Sequence, residues 1–333
     1  MHQMSSAIIL IAASLSTTGV GDIAKDFSAF GRPKLKLALR NERFYAEIWP
    51  EAGGGIGCPE YLCEQGDSVS LFRRTVEKKC YQPSDIACWP LIPFSNRIDH
   101  GRFVFDGKEH RLRLDAATGP HALHGLGWRG AWSVISAECR ACKLALNHAA
   151  NEHWPFAFLA EQTFTLNEDG LTIITKFTNS DPNHAPYGLG QHPYIMRPQG
   201  TRLFAQVNGV WLTDDTALPT KHINLPAKWD WRKGCALNDV FVDNCFEPLQ
   251  GAVRVVWPDS SELTIEGSDN LRFLIIYNPP LENYVCVELV THMPDAINRA
   301  EKGQSDTGFA VLPSGDTAVS IHRFRYRPAP RPP

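Results

Sequence analysis

The sequence predicts an all-β fold, built as one large antiparallel β-sandwich. Three observations carry that reading. Short β-branched runs recur along the chain, bounded by Gly, Pro, Asn and Asp. Two Asp-Gly pairs sit at hairpin spacing. No segment sustains an apolar period of 3.6 residues over several turns.

Each element has its own signal. The runs at 171–178, 253–257, 271–277, 284–290 and 317–326 alternate or are β-branched, and read as strands. Asp106-Gly107 follows Phe103-Val104-Phe105, and Asp169-Gly170 precedes Leu171. Asp-Gly supplies the positive φ angles that a tight hairpin turn requires. Pro-rich stretches between the runs read as long loops. No repeat and no low-complexity linker divides the chain, so residues 34–327 are expected to form one domain. Residues 1–33 read as a poorly ordered N-terminal extension and 328–333 as a Pro-rich tail.

The chain has 333 residues, a formal net charge of -3, 43% hydrophobic and 21% charged residues. That balance supports a real core. With no basic block, nucleic acid is not an expected partner, and no polybasic patch suggests a membrane surface. The nine cysteines are scattered, and Cys139 and Cys142 form a lone CxxC without a second half. This suits free thiols in a cytoplasmic protein. The apolar run at 7–15 (AIILIAASL) lacks a preceding Lys or Arg and is too short to span a bilayer. It leaves a secreted or periplasmic location open.

Four segments embed polar groups in apolar, turn-rich sequence. They are Trp89–Ile98 (WPLIPFSNRI), Pro120–Trp128 (PHALHGLGW), Tyr187–Tyr194 (YGLGQHPY) and Val285–Ala296 (VCVELVTHMPDA). Singly, each has an ordinary explanation: Arg97 as a surface ion pair, His121 and His124 as core histidines, His192 as a turn residue. Glu288 is harder to explain so. On a strand, Val285, Val287 and Leu289 share one face, and Cys286, Glu288 and Val290 the other. Both faces are otherwise apolar, so the carboxylate must be paired or serve a site. His121, His124, His192 and Glu288 also allow a zinc site. Trp89, Phe94, Trp128 and Tyr194 nearby suit either a sugar face or plain core packing.

Taken together and in order, these segments resemble the aldose 1-epimerase (galactose mutarotase-like) family. The resemblance runs from about Leu35 to Tyr326. It rests on the stretch from Pro90 through Asn96-Arg97-Ile98 to Phe103, on Leu123-His124-Gly125, and on Gly188-Leu-Gly-Gln-His-Pro-Tyr194. Val242-Asp-Asn-Cys-Phe246 and Cys286-Val-Glu288 through Ala296 complete it. It implies a β-supersandwich, a small-molecule sugar substrate and no cofactor or metal, in a monomer or homodimer. Glu288 falls on the general base, His192 on the general acid and His124 on the second active-site histidine. Asn96, Arg97 and Asp243 fall on sugar-binding positions. Leu289, Ile195 and Gln191 depart from the family pattern and put substrate preference in question.

Mutarotation opens a hemiacetal ring and recloses it on the other face, so one oxygen loses a proton while another gains one. Desolvation should raise the basicity of Glu288, and a histidine is protonated near neutrality with little tuning. The acid limb of the pH profile is therefore expected to belong to Glu288 and the basic limb to His192. Three alternatives remain. A hexose-6-phosphate 1-epimerase needs additional Arg or Lys. A non-catalytic sugar-binding module needs no acid and base pair, and a zinc hydrolase needs a metal. The glycine-rich Gly53–Gly57 stretch follows Pro50 and does not open a helix, so it gives no nucleotide loop.

Overall fold

The computed structural model describes residues 30–31, 35–64, 66–75, 80–115, 118–238 and 240–330. Two large antiparallel sheets dominate it. In the eleven-stranded sheet the order is Leu37–Arg40, Phe44–Trp49, Gly55–Leu62, Cys88–Leu91, Gly190–Met196, Tyr284–Val290, Phe273–Asn278, Val242–Glu247, Gly209–Thr213 and Pro219–Asn224. Ser68–Ser70 adds to the side of Gly55–Leu62. The nine-stranded sheet runs Ser133–Ala137, Ala141–His148, Phe158–Leu166, Gly170–Asn179, Thr317–Arg327, Glu262–Gly267, Gln250–Val256, Arg202–Gln206 and Cys235–Ala236.

The inner faces of the two sheets share one apolar core. Leu39, Ala46, Ile48, Ile195, Val285, Val287 and Leu289 of the first meet Leu144, Phe158, Phe164, Phe177 and Phe324 of the second. Phe72 and Phe324 close part of this layer edge to face, 5.1 Å apart. Strand Phe158–Leu166 alternates strictly between buried and half-buried residues, as expected of a sheet with one solvated face. Strand Tyr284–Val290 is buried at every position, because Trp89, Trp128 and Tyr194 at one end and Met293 and Ala296 at the other pack on its outer face as well.

The turns follow their sequence signals with one difference. Asp106 (φ 52°) and Gly107 (φ 70°) form the tight hairpin between Arg102–Phe105 and Lys108–Arg111. Asp169-Gly170 does not turn in this way. Gly170 is already the first residue of a strand, where a Cβ would lie 1.9 Å from the Phe324 carbonyl oxygen. Close backbone approach is what requires glycine there. The α-helix among the described residues is short, Ala296–Glu301.

Phe30–Gly31, which the sequence places in the extension, pair with Cys80–Tyr81. Residues 1–29, including the apolar run, lie outside the described residues, as do 331–333 of the tail. Cys139 is exposed and Cys142 is buried in the inter-sheet core, so the CxxC is not one unit. Among the described residues, no helix is long and apolar enough to cross a membrane.

Candidate active site

Strand register assembles the site. Trp211 pairs with Cys245, Cys245 with Ile275 and Ile275 with Glu288. On the other side of Glu288, Gly190 pairs with Val290 and Tyr194 with Cys286, a register that sets His192 opposite Glu288. His192 in turn pairs with Trp89. One row across the outer face of the sheet therefore reads Cys245, Ile275, Glu288, His192, Trp89. The next row reads Asp243, Tyr277, Cys286, Tyr194. Alternation along each strand turns the neighbouring side chains inward and leaves the chemistry outward.

The predicted acid and base meet. His192 Nε2 lies 3.2 Å from Glu288 Oε1, with both side chains almost wholly buried. Trp89 stands edge-on to His192, with ring centroids 3.8 Å apart. His124 joins them, its ring 5.1 Å from His192. Trp128, Tyr194 and Tyr284 complete an aromatic wall with Trp89. Within this compact group Trp89 Nε1, His192 Nδ1 and Glu288 Oε2 have no protein partner. Unsatisfied buried polar atoms are costly, and their concentration at one place marks a site for a polar ligand.

The turn bearing Asn96 and Arg97 flanks this group. Asn96 and His124 both have left-handed backbones, at φ 57° and 60°. Such conformations in non-glycine residues persist only where the surroundings over-determine them. The two residues hold each other: the Asn96 N–H donates to His124 Nδ1 at 3.1 Å, and the His124 N–H to the Asn96 carbonyl at 2.8 Å. Asn96 Oδ1 accepts from the Arg97 backbone N–H (3.0 Å) and from its guanidinium (3.2 Å). Asn96 thus aims Arg97.

Electrostatics follow from burial. Desolvation raises the Glu288 carboxyl well above its ordinary value; the Asp243 charge adds to this and the Arg97 charge opposes it. Desolvation lowers the His192 imidazole to about 3, and the Arg73 charge adds to that. The Arg73 guanidinium lies 3.9 Å from the Tyr194 ring centre. Burial therefore disfavours the charged form of each group. This corrects the expectation that His192 is protonated near neutrality with little tuning, because full burial of an imidazolium costs several kcal/mol. His124 is also held well below the ordinary imidazole value, first by burial and then by His192, Arg97 and Arg129. Its Nδ1 accepts an N–H, so its proton sits on Nε2 and it acts as a neutral donor.

Asp243 is the part-exposed acid of the second row, and its own carboxyl is raised by burial. Asp243→Asn removes a charge that lifts the Glu288 pKa. The basic limb of the pH profile should then move to lower pH. A pH-rate profile of that variant checks this. An unmoved limb would separate Asp243 from the pair.

Other expectations are redistributed. Phe94 packs in the inter-sheet core beside Trp154, away from the site. Leu289, Ile195 and Gln191 all point inward. The first two join the core, and Gln191 donates to Gln162 Oε1 across it at 2.8 Å. These departures therefore lie on the face of the sheet opposite the Glu288–His192 pair. His121 is not with the other histidines; it lies against Asp99 and His100. That trio is the one His/Cys/Asp/Glu group of metal-ligand spacing among the described residues. The His100 N–H donates to His121 Nδ1 at 3.0 Å, which occupies that lone pair. The His121–His124–His192–Glu288 zinc set is not assembled. Arg73 and Tyr284 carried no motif signal and were missed from sequence.

Comparison with known proteins gives the family. The aldose 1-epimerase family model matches residues 65–315. The chain belongs to the aldose 1-epimerase family. Its relatives include the uncharacterized Escherichia coli protein YphB, 30% identical over 279 residues, covering 79% of this chain and 94% of YphB. The crystal structure of a candidate aldose 1-epimerase from Escherichia coli K12 matches with a TM-score of 0.78 and 26% identity. That match covers 88% of this chain and 99% of the other. A galactose mutarotase-like protein from Clostridium acetobutylicum shares the fold, with a TM-score of 0.75, 18% identity, and coverage of 87% and 94%. In this aldose 1-epimerase family member the motif segments all converge on the Glu288–His192 pair.

Proposed function

We propose that the protein is an aldose 1-epimerase that interconverts the α and β anomers of an aldose such as glucose or galactose. The observation that carries this reading is the buried contact between Glu288 and His192, with further polar atoms of both left without protein partners. Sugar hydroxyls would satisfy those atoms.

Glu288 takes the proton from the C1 hydroxyl, the C1–O5 bond breaks, and His192 gives a proton to O5. The open aldehyde rotates about C1–C2 and recloses with both transfers reversed. The single proton of the pair suffices, because moving it from Glu288 to His192 yields the working arrangement without exchange with solvent. Neutral His124 donates from Nε2 to a sugar oxygen as charge develops. Arg97 and Asp243, both part-exposed, hold hydroxyls and fix the ring against the pair. The aromatic wall receives the C–H face of the sugar.

A panel of freshly dissolved α-anomers, neutral and 6-phosphorylated, followed by polarimetry, tests the reading. The expected result is accelerated mutarotation of neutral aldoses. Sugar binding without acceleration would contradict it.

A further inference from the structure

The segment 95–100, which carries Arg97, has its backbone N–H groups tied down almost entirely by side chains. Ser95 donates to His292 Nε2 at 3.1 Å, Asn96 to His124 Nδ1 at 3.1 Å, and His100 to His121 Nδ1 at 3.0 Å. Between them Arg97 donates to Asn96 Oδ1 and Asp99 to Asp295 Oδ1, each at 3.0 Å. We propose that His121 and His292 are positioning residues for Arg97, acting as imidazole acceptors that, with His124, hold this segment in its one sugar-binding conformation. The inference rests on the reading of Arg97 as a sugar ligand.

Such a clamp has a physical cause. Asn96 and His100 are both left-handed, at φ 57° and 47°. Such backbones in non-glycine residues persist only where the surroundings enforce them. An imidazole nitrogen accepts only while it carries no hydrogen. Acceptance from the His100 N–H requires the proton on Nε2 in His121, although its Nδ1 also lies 3.3 Å from Asp99 Oδ1 and its Nε2 has no protein partner, and acceptance from the Ser95 N–H requires it on Nδ1 in His292. The latter donates to the Met293 carbonyl at 2.8 Å. Burial lowers both imidazoles, which keeps the accepting lone pairs free. Around His121 the acid Asp99 and more distant Asp214 oppose that shift, while His100 and Arg97 favour it.

The neighbouring sequence is built around this arrangement. A Cβ on Gly188 would lie 2.1 Å from His292 Nε2, the atom that accepts from Ser95. The glycine of the Tyr187–Tyr194 segment is thus required by the ring that faces it. His121 and His124 are three residues apart because the short strand Ala122–Leu123 between them pairs with Arg97–Ile98. The two rings therefore reach the two ends of the same turn.

The test uses the full chain, with anomer exchange read as KM and kcat. His121→Leu and His292→Leu should each raise KM about tenfold with kcat within about threefold, the scale of a misplaced binding group. His121→Asn places an amide oxygen where Nδ1 stood, and His292→Gln one where Nε2 stood. Both should stay within about threefold of the unmodified protein. Leucine variants with unchanged KM, or amide variants no better than leucine, would overturn the proposal. ¹⁵N NMR of the unmodified protein gives a reading independent of activity and of variant folding. The Nε2–H tautomer at His121 and the Nδ1–H tautomer at His292 support the clamp, and the opposite tautomer at either refutes it. Absence of anomer exchange in the unmodified protein would instead refute the proposed function.

Discussion

Replacing Glu288 with Gln is expected to lower kcat by at least about 10²-fold with the fold intact. The amide has the size of the carboxyl and fills the same buried place beside His192, 3.2 Å away in the native pair. It cannot take a proton from C1–OH. Folding should not suffer, because burial already disfavours the charged carboxylate and the amide that replaces it is neutral. Steady-state anomer exchange with a circular-dichroism control measures both halves of the claim. Near-normal turnover would remove Glu288 from the chemistry.

His192→Asn should be comparably damaging, and its pH profile carries more information. In the unmodified protein the pair works while it holds one proton. A second proton arrives on His192 at about pH 3, and the single proton leaves at the raised value of Glu288. The sign is then clear: kcat/KM falls on the acid side through His192 and on the basic side through Glu288. These limbs are reversed relative to the expectation from unburied groups, and both report the coupled pair. Without His192 only ionised Glu288 is needed. The residual rate should then climb through the Glu288 value with no basic limb. His124→Asn should slow the reaction and leave the basic limb in place. Loss of that limb in the His124 variant and its retention in the His192 variant would exchange the two histidines' roles.

Much of this was legible in the sequence, for definite reasons. Strand period placed Val285, Val287 and Leu289 inward and Glu288 outward, because alternation leaves no other choice once one face is buried. Asp106-Gly107 announced its hairpin through the positive φ angles that such a pair tolerates cheaply. Other features were not legible. Gln191 looked like a change near the substrate, yet it bonds to Gln162 in the inter-sheet layer. Only the pairing of two sheets distant in sequence reveals that. Arg73 reaches the site from a segment without a motif, through stacking on Tyr194 and Tyr284. The low His192 pKa also could not be read from sequence, because it depends on how completely Trp89 and Tyr194 enclose the ring. Residue type gives the unperturbed value, and packing decides the departure.

In the proposed reaction this pair of groups moves one proton between O1 and O5 of an aldose. Magnetisation-transfer NMR between the α and β H1 resonances of glucose and galactose at equilibrium tests it most directly, since no net reaction or coupling enzyme intervenes. The expected exchange rate rises in proportion to protein concentration and returns to the buffer rate with Glu288→Gln. Exchange no faster than in buffer for every aldose tried, or acceleration that survives Glu288→Gln, would contradict it.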